Sequence, residues 1–256
     1  MLETFPGSIT AVVQGSSRGI GLSLVRRLLD CDRVGRVIAG ARKPAASEAL
    51  MELADTHRQR LRPVELDVTR PEQIEALAAS LGDEGLRPRL VLNVAGLLHD
   101  GADLVPEKRL EDLDAARLER VFAVNVLGPA LMMRHFLPLM EGDGKAVFAA
   151  LSARVGSIGD NRLGGWYAYR SSKAALNQML HTAAIEARRR FSNVIVAALH
   201  PGTTDTGLSK PFQANVPDDK LFSPDFVAER LLQVIDDLDT KDSGGFFAWD
   251  GQAIPW

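Results

Sequence analysis

Tyr169 and Lys173 stand four residues apart in this 256-residue chain. On a helix that spacing puts both side chains on one face, where an ammonium can stabilise a phenolate. A phenol has an unperturbed pKa of about 10, so it exchanges protons readily only if its pKa falls toward the working pH. Tyr167, the other tyrosine, has Ser171 at the matching position, which leaves Tyr169 as the Tyr/Lys candidate for acid–base work. A surface pair without any chemical role has the same spacing, so the surroundings must decide. A second constellation is Gly15, Gly19 and Gly21. A glycine turn between a strand and a helix lets the backbone approach a pyrophosphate, whose charge then sits at the helix N-terminus. About 20 residues on, an acid would grip a ribose 2′-hydroxyl. Here that stretch reads Ala39-Gly40-Ala41-Arg42-Lys43, with no acid. Arg42, Lys43 and Arg18 inside the turn suit a 2′-phosphate, which favours NADP(H).

Positioning these residues needs strands that end where the chemistry begins. Apolar or β-branched runs at 9–13, 36–39, 63–68, 90–94, 145–151, 193–199 and 245–249 read as seven strands. Between them, Leu22, Leu24, Val25, Leu28 and Leu29 recur at helical spacing. Further helical patterns cover 45–57, a helix capped by Thr69 with Pro71 in its first turn, a long one over 110–140, then 167–190 and 224–238. Strict β-α alternation with continuously apolar strands implies a parallel sheet covered on both faces. The expected fold is a single-domain, doubly wound (Rossmann) α/β sheet of about seven strands spanning 1–256, without internal repeat or linker.

Composition excludes several classes. With 30 Lys and Arg against 33 Asp and Glu, the net charge of −3 offers no basic field for nucleic acid or anionic membrane. The single cysteine, Cys31, forms no internal disulfide, and the five histidines are too scattered for a local metal motif. No metal is expected. Nor does any apolar run reach the roughly 20 residues of a membrane span. The expected setting is cytoplasmic.

Taken together, the chain resembles the short-chain dehydrogenase/reductase family over nearly its whole length. The family's TGxxxGIG appears as Gln14-Gly15-Ser16-Ser17-Arg18-Gly19-Ile20-Gly21, with Gln in place of Thr. Its NNAG appears as Asn93-Val94-Ala95-Gly96, its adenine-contacting DV as Asp67-Val68, and its YxxxK as Tyr169 to Lys173. Pro201-Gly202 matches the family's PG, followed by Thr203 and Thr206, and Asn125 matches its helix asparagine. The segments 151–158 and 165–169 look most like the C-factor and Sniffer branch, allied to the carbonyl reductases. The resemblance implies NADP(H)-dependent carbonyl reduction or alcohol oxidation, with Tyr169 as proton donor. Lys173 would also bond the nicotinamide ribose, and Asn125 would hold a relaying water. It further implies a serine that polarises the carbonyl, but alignment on Gly156 puts Ala153 in that slot. Ser152, one residue earlier, is the favoured replacement, with Ser157 the alternative; one residue along a strand reverses a side chain's face.

Substrate-determining segments lie beyond the carboxyl ends of the strands, at 97–104, 155–166 and 203–222. The last, with Leu208, Pro211, Phe212, Val216 and Phe222, suits a lid over an apolar substrate or a plain cover for the sheet end. The expected partner is a small carbonyl or alcohol, with a homo-oligomer possible through the two long helices. A cofactor-binding regulatory protein on the same fold is the alternative reading, and the displaced serine lends it some support.

Overall fold

In a computed structural model that describes residues 1–214 and 216–256, seven parallel strands form one sheet. They are β1 (Ile9–Gln14), β2 (Val34–Ala41), β3 (Leu61–Glu65), β4 (Pro88–Asn93), β5 (Ala146–Leu151), β6 (Val194–His200) and β9 (Phe246–Ala248). The short β7 (Thr203–Thr204) and β8 (Leu221–Phe222) pair separately. The sheet order is β3-β2-β1-β4-β5-β6-β9, so its direction of growth reverses between β1 and β4. That reversal opens a crevice at the carboxyl ends of the two strands, where a doubly wound fold binds ligands.

Both faces of the sheet are buried, which is why its strands read as unbroken apolar runs. Ala11 and Val13 face one core with Leu90, Leu92, Val147 and Ala149. Helices α1 (Gly19–Leu29), α2 (Glu48–Thr56) and α7 (Pro224–Asp237) cover that core. Val12, Val91, Phe148 and Ala150 face the other, under α3 (Pro71–Asp83), α5 (Gly128–Phe136) and α6 (Tyr167–Arg190).

Three local expectations are corrected. The helix expected over 110–140 is a single 3₁₀ turn (Leu110–Asp112), then α4 (Ala115–Phe122), a widened π turn (Ala123–Leu127), α5 and a final 3₁₀ turn. Asp114 starts α4 by accepting from the Arg117 N–H at 2.9 Å. By length and composition alone this Ala115–Met140 stretch is, among the described residues, one helical run that would span a membrane, although Arg117, Glu119, Arg120 and Arg134 interrupt its apolar residues. Its Met132, Met133, Phe136 and Met140 are packed against the sheet. The third strand ends at Glu65, so Asp67 and Val68 lie beyond it. Thr69 does not cap α3; its hydroxyl donates to Asp67 Oδ1 at 2.7 Å, and Arg70 takes the cap position.

Candidate active site

The glycine turn joins β1 to α1 at the crevice. Gly15 has φ +89°, and a Cβ there would lie 2.7 Å from the Ala95 nitrogen. A Cβ on Gly21 would collide with the Gly15 carbonyl. The turn is anchored to β2, whose Gly40 carbonyl accepts from the Gly15 N–H at 2.8 Å and the Ser16 hydroxyl at 3.0 Å. Arg42 and Lys43 follow the end of β2, and Arg18 lies in the turn itself, its Nη1 3.9 Å from where a Cβ on Gly207 would be. All three are exposed, and none joins an ion pair among the described residues. Ser17 accepts at its carbonyl from Ser47, and half-buried Ile20 packs on the core. Opposite, Gln14 supports the cradle from below, where its Oε1 accepts from the Ala95 N–H at 3.2 Å. Asn93 Oδ1 is buried without a hydrogen-bond partner among the described residues. Such an orphaned acceptor beside a backbone cradle fits a dinucleotide with donors of its own. Thr206 lies over Gly19, 3.1 Å from where a Cβ would be, and Gly202 (φ +72°) turns against Phe222 and Trp249. Val68 sits against Gly128.

Tyr169 and Lys173 lie on the inner face of α6, both buried. Lys173 Nζ is 5.6 Å from the Tyr169 ring centroid and donates to the Leu151 carbonyl, at the end of β5, at 2.7 Å. Burial pushes the phenol above its ordinary range and lowers the ammonium to about 8. The expected fall of the tyrosine pKa is therefore not seen: desolvation disfavours the phenolate, and the phenol stays neutral. A neutral phenol is the form that can donate a proton.

Asn125 is wholly buried in the π turn. Its amide brackets Leu97, accepting from the N–H and donating to the carbonyl at 2.8 Å each, and also donates to Ser172 Oγ at 3.0 Å. A Cβ on Gly96 would be 3.6 Å from both Asn125 Oδ1 and Lys173 Nζ, so the three residues converge. Asn125's side chain thereby locks the crevice wall to α6; both of its N–H donors are used, while Oδ1 keeps a second lone pair that can accept from a water.

The serine expectation meets a competing partner. Ser152 is buried, and its hydroxyl donates to Asn177 Oδ1, one turn beyond Lys173, at 2.6 Å. A hydroxyl has one proton, so a substrate carbonyl would have to displace that bond. Ser157 is also buried, and its Oγ accepts from the Asp160 N–H at 3.2 Å. Over the tyrosine, Trp166 stands edge-on to Tyr169 at 6.3 Å between centroids and packs on Phe212 at 4.9 Å. His99 meets Phe212 at 5.7 Å and Gly207's carbonyl at 3.0 Å. Segment 203–222 thus lies across the site, with residue 215 outside the described residues.

Residues 9–217 match the model of the short chain dehydrogenase family. The chain belongs to that family. A short-chain dehydrogenase relative, 1-hydroxy-2-glutathionyl-2-methyl-3-butene dehydrogenase of Rhodococcus sp. (strain AD45), is 32% identical over 96% of this chain and 99% of its own. The C-signal protein of Myxococcus xanthus is 36% identical over 57% of this chain and 83% of its own, in line with the C-factor resemblance. The NADPH-bound carbonyl reductase from chicken fatty liver superposes with a TM-score of 0.86 at 30% identity, covering 98% of this chain and all of that one. The protein is an oxidoreductase of this family, on a Rossmann-type sheet.

Some residues of this short-chain dehydrogenase site escaped sequence reading. Asn177, Ser172 and the Leu151 carbonyl carry no motif signal, although Ser172 and Asn177 fall on the same helical stripe as Tyr169 and Lys173. Glu107 carries no motif signal either, and it is buried against the start of α6.

Proposed function

We propose that the protein is an NADPH-dependent carbonyl reductase, running as an alcohol dehydrogenase in the opposite direction, on a small apolar carbonyl or alcohol. The observation that carries this reading is the buried Tyr169–Lys173 pair on α6, at the carboxyl end of β5 and beside the crevice of the glycine turn. The nicotinamide, when bound, supplies or accepts the hydride. Tyr169, neutral in its buried site, donates the proton that the developing alkoxide needs. Lys173 keeps a positive charge next to the phenol as that proton leaves, which lowers the cost of the phenolate. Arg18, Arg42 and Lys43 receive the 2′-phosphate with charge-assisted hydrogen bonds, and no acid at the end of β2 opposes it. The NADPH in the chicken enzyme supports the cofactor choice. The likeness to C-signal keeps a regulatory role, cofactor binding without turnover, as the second reading.

Optical assay of NADPH oxidation with aldehydes, ketones and quinones tests this directly. Wild type should turn over, and Tyr169→Phe should lose at least about 10²-fold, the lower range for general acid catalysis. Tight NADPH binding without turnover in wild type would favour the regulatory reading. Failure to bind NADPH would overturn the proposal.

A further inference from the structure

The start of α6 is built by another part of the chain. Gly164, Gly165 and Trp166 all have positive φ, at +63°, +66° and +52°. The last is a left-handed conformation that a non-glycine residue adopts only when its surroundings hold it. Trp166 is also the cap position of α6, and its side chain makes no capping hydrogen bond. The first-turn N–H groups of a helix need acceptors from elsewhere. Glu107 provides them. Its backbone carbonyl accepts from the Trp166 N–H at 2.5 Å, and its carboxylate Oε2 accepts from the Ala168 N–H at 3.1 Å.

Glu107 is 4% exposed and has no ion-pair partner among the described residues. A buried carboxylate without a cation is costly unless hydrogen bonds and a positive field compensate, and a helix N-terminus supplies both. The segment that carries it is itself braced. Asp112 Oδ2 accepts from the N–H groups of Lys108 and Arg109, and Leu104 packs with Val121 and Ala168 in a small apolar cluster. Tyr169 is the residue after Ala168, so the phenol's position follows from where this turn begins.

We propose that Glu107 is a positioning residue for Tyr169. Its carboxylate caps the first turn of α6, and its carbonyl holds Trp166 in the left-handed conformation that starts the helix and aims the indole at both Tyr169 and Phe212. The catalytic consequence rests on the carbonyl reductase reading above; the capping itself does not. Glu107→Asp keeps the charge but draws the carboxylate back from Ala168, whereas Glu107→Gln keeps an acceptor at the same reach. Glu107→Asp should lose about 10- to 100-fold in kcat, the scale of a roughly 1 Å misplacement, with NADPH affinity unchanged. Glu107→Gln should stay within about threefold of wild type, because a neutral acceptor still caps the turn. Equal rates for Glu107→Asp and wild type would overturn the proposal, as would equal losses in both variants or a loss confined to the KM for NADPH.

Hydrogen exchange tests the capping without any substrate. In Glu107→Asp the Trp166 and Ala168 amides should exchange about tenfold faster or more, with α7 unchanged. Unchanged exchange would overturn the proposal even if no substrate were turned over. Absent wild-type turnover with faster exchange would fault the reductase reading and leave the capping standing.

Discussion

Arg18 lies within the glycine turn, Arg42 and Lys43 follow the end of β2, and no acid occurs from Ala39 to Lys43. Replacing Arg18 and Arg42 together by Ala should cut NADPH affinity by about 10²-fold or more while NADH affinity stays within about threefold, since only the 2′-phosphate loses charge-assisted bonds. Equal losses in binding titrations would show that these arginines do not select the cofactor. Ser152 is the other residue whose role turns on one proton. With its hydroxyl committed to Asn177, Ser152→Ala should cost roughly 1 kcal/mol or more of stability and leave kcat within about threefold. A fall of ~10²-fold in kcat, the size expected on losing an oxyanion donor, would instead mean that the hydroxyl turns to the substrate. The Tyr169–Lys173 pair was legible because its geometry is local to one helix. The partner of Ser152 was not, because Asn177 is 25 positions away and meets it only through the packing of α6 on β5.

At the scale of elements, the glycine turn and α1 work as one unit. A side chain at Gly21 meets the Gly15 carbonyl, which is backbone and cannot rotate aside. Gly21→Ala should therefore lower stability by about 1–3 kcal/mol, the cost of overpacking. It should also weaken NADPH binding by at least about tenfold, because relieving the clash moves the turn that meets the pyrophosphate. Unaltered binding, by fluorescence titration, would separate the turn from the cofactor site. Helix α6 was legible to the residue, Tyr167 to Arg190, because its pattern is local to one stretch of chain. The break in the stretch over 110–140 was not. Its π turn at Ala123–Leu127 comes with an Asn125 that bonds Leu97 and Ser172 in neighbouring elements, and periodicity within the stretch carries no record of those contacts.

Across the whole molecule, the chain's first residues close the sheet end opposite the site. Leu2 and Phe5 are buried, and Asp236 on α7 accepts from the N–H groups of Glu3 and Thr4 at 2.9 and 3.0 Å. Lys145 Nζ adds bonds to the Asp236 carbonyl at 2.6 Å and Thr4 Oγ1 at 2.9 Å. Burial works against ionising Asp236, but the bonds from Thr4 and Glu3 and the Lys145 charge outweigh it and hold the carboxyl below its ordinary value. A carboxyl depressed in the native state stabilises the fold above its unfolded pKa of about 3.9, and that contribution fades as pH falls through the native value. Asp236→Asn should lower stability at neutral pH and flatten its decline below about pH 4, read from urea melts across pH. A decline as steep as wild type would mean that other carboxylates govern acid unfolding. The succession of strands and helices, the parallel sheet, the glycine turn and the Tyr169–Lys173 pair were all legible in the residues alone, because each rests on periodicity or spacing within a short stretch. It took the folded chain to show that Ser152 meets Asn177, that Glu107 caps a helix 61 residues away, and that Thr4 reaches Asp236 across 232. The physical reason is that such bonds form where packed layers bring distant backbone together, and hydrogen-bonding side chains carry no sequence mark of the partner they will find.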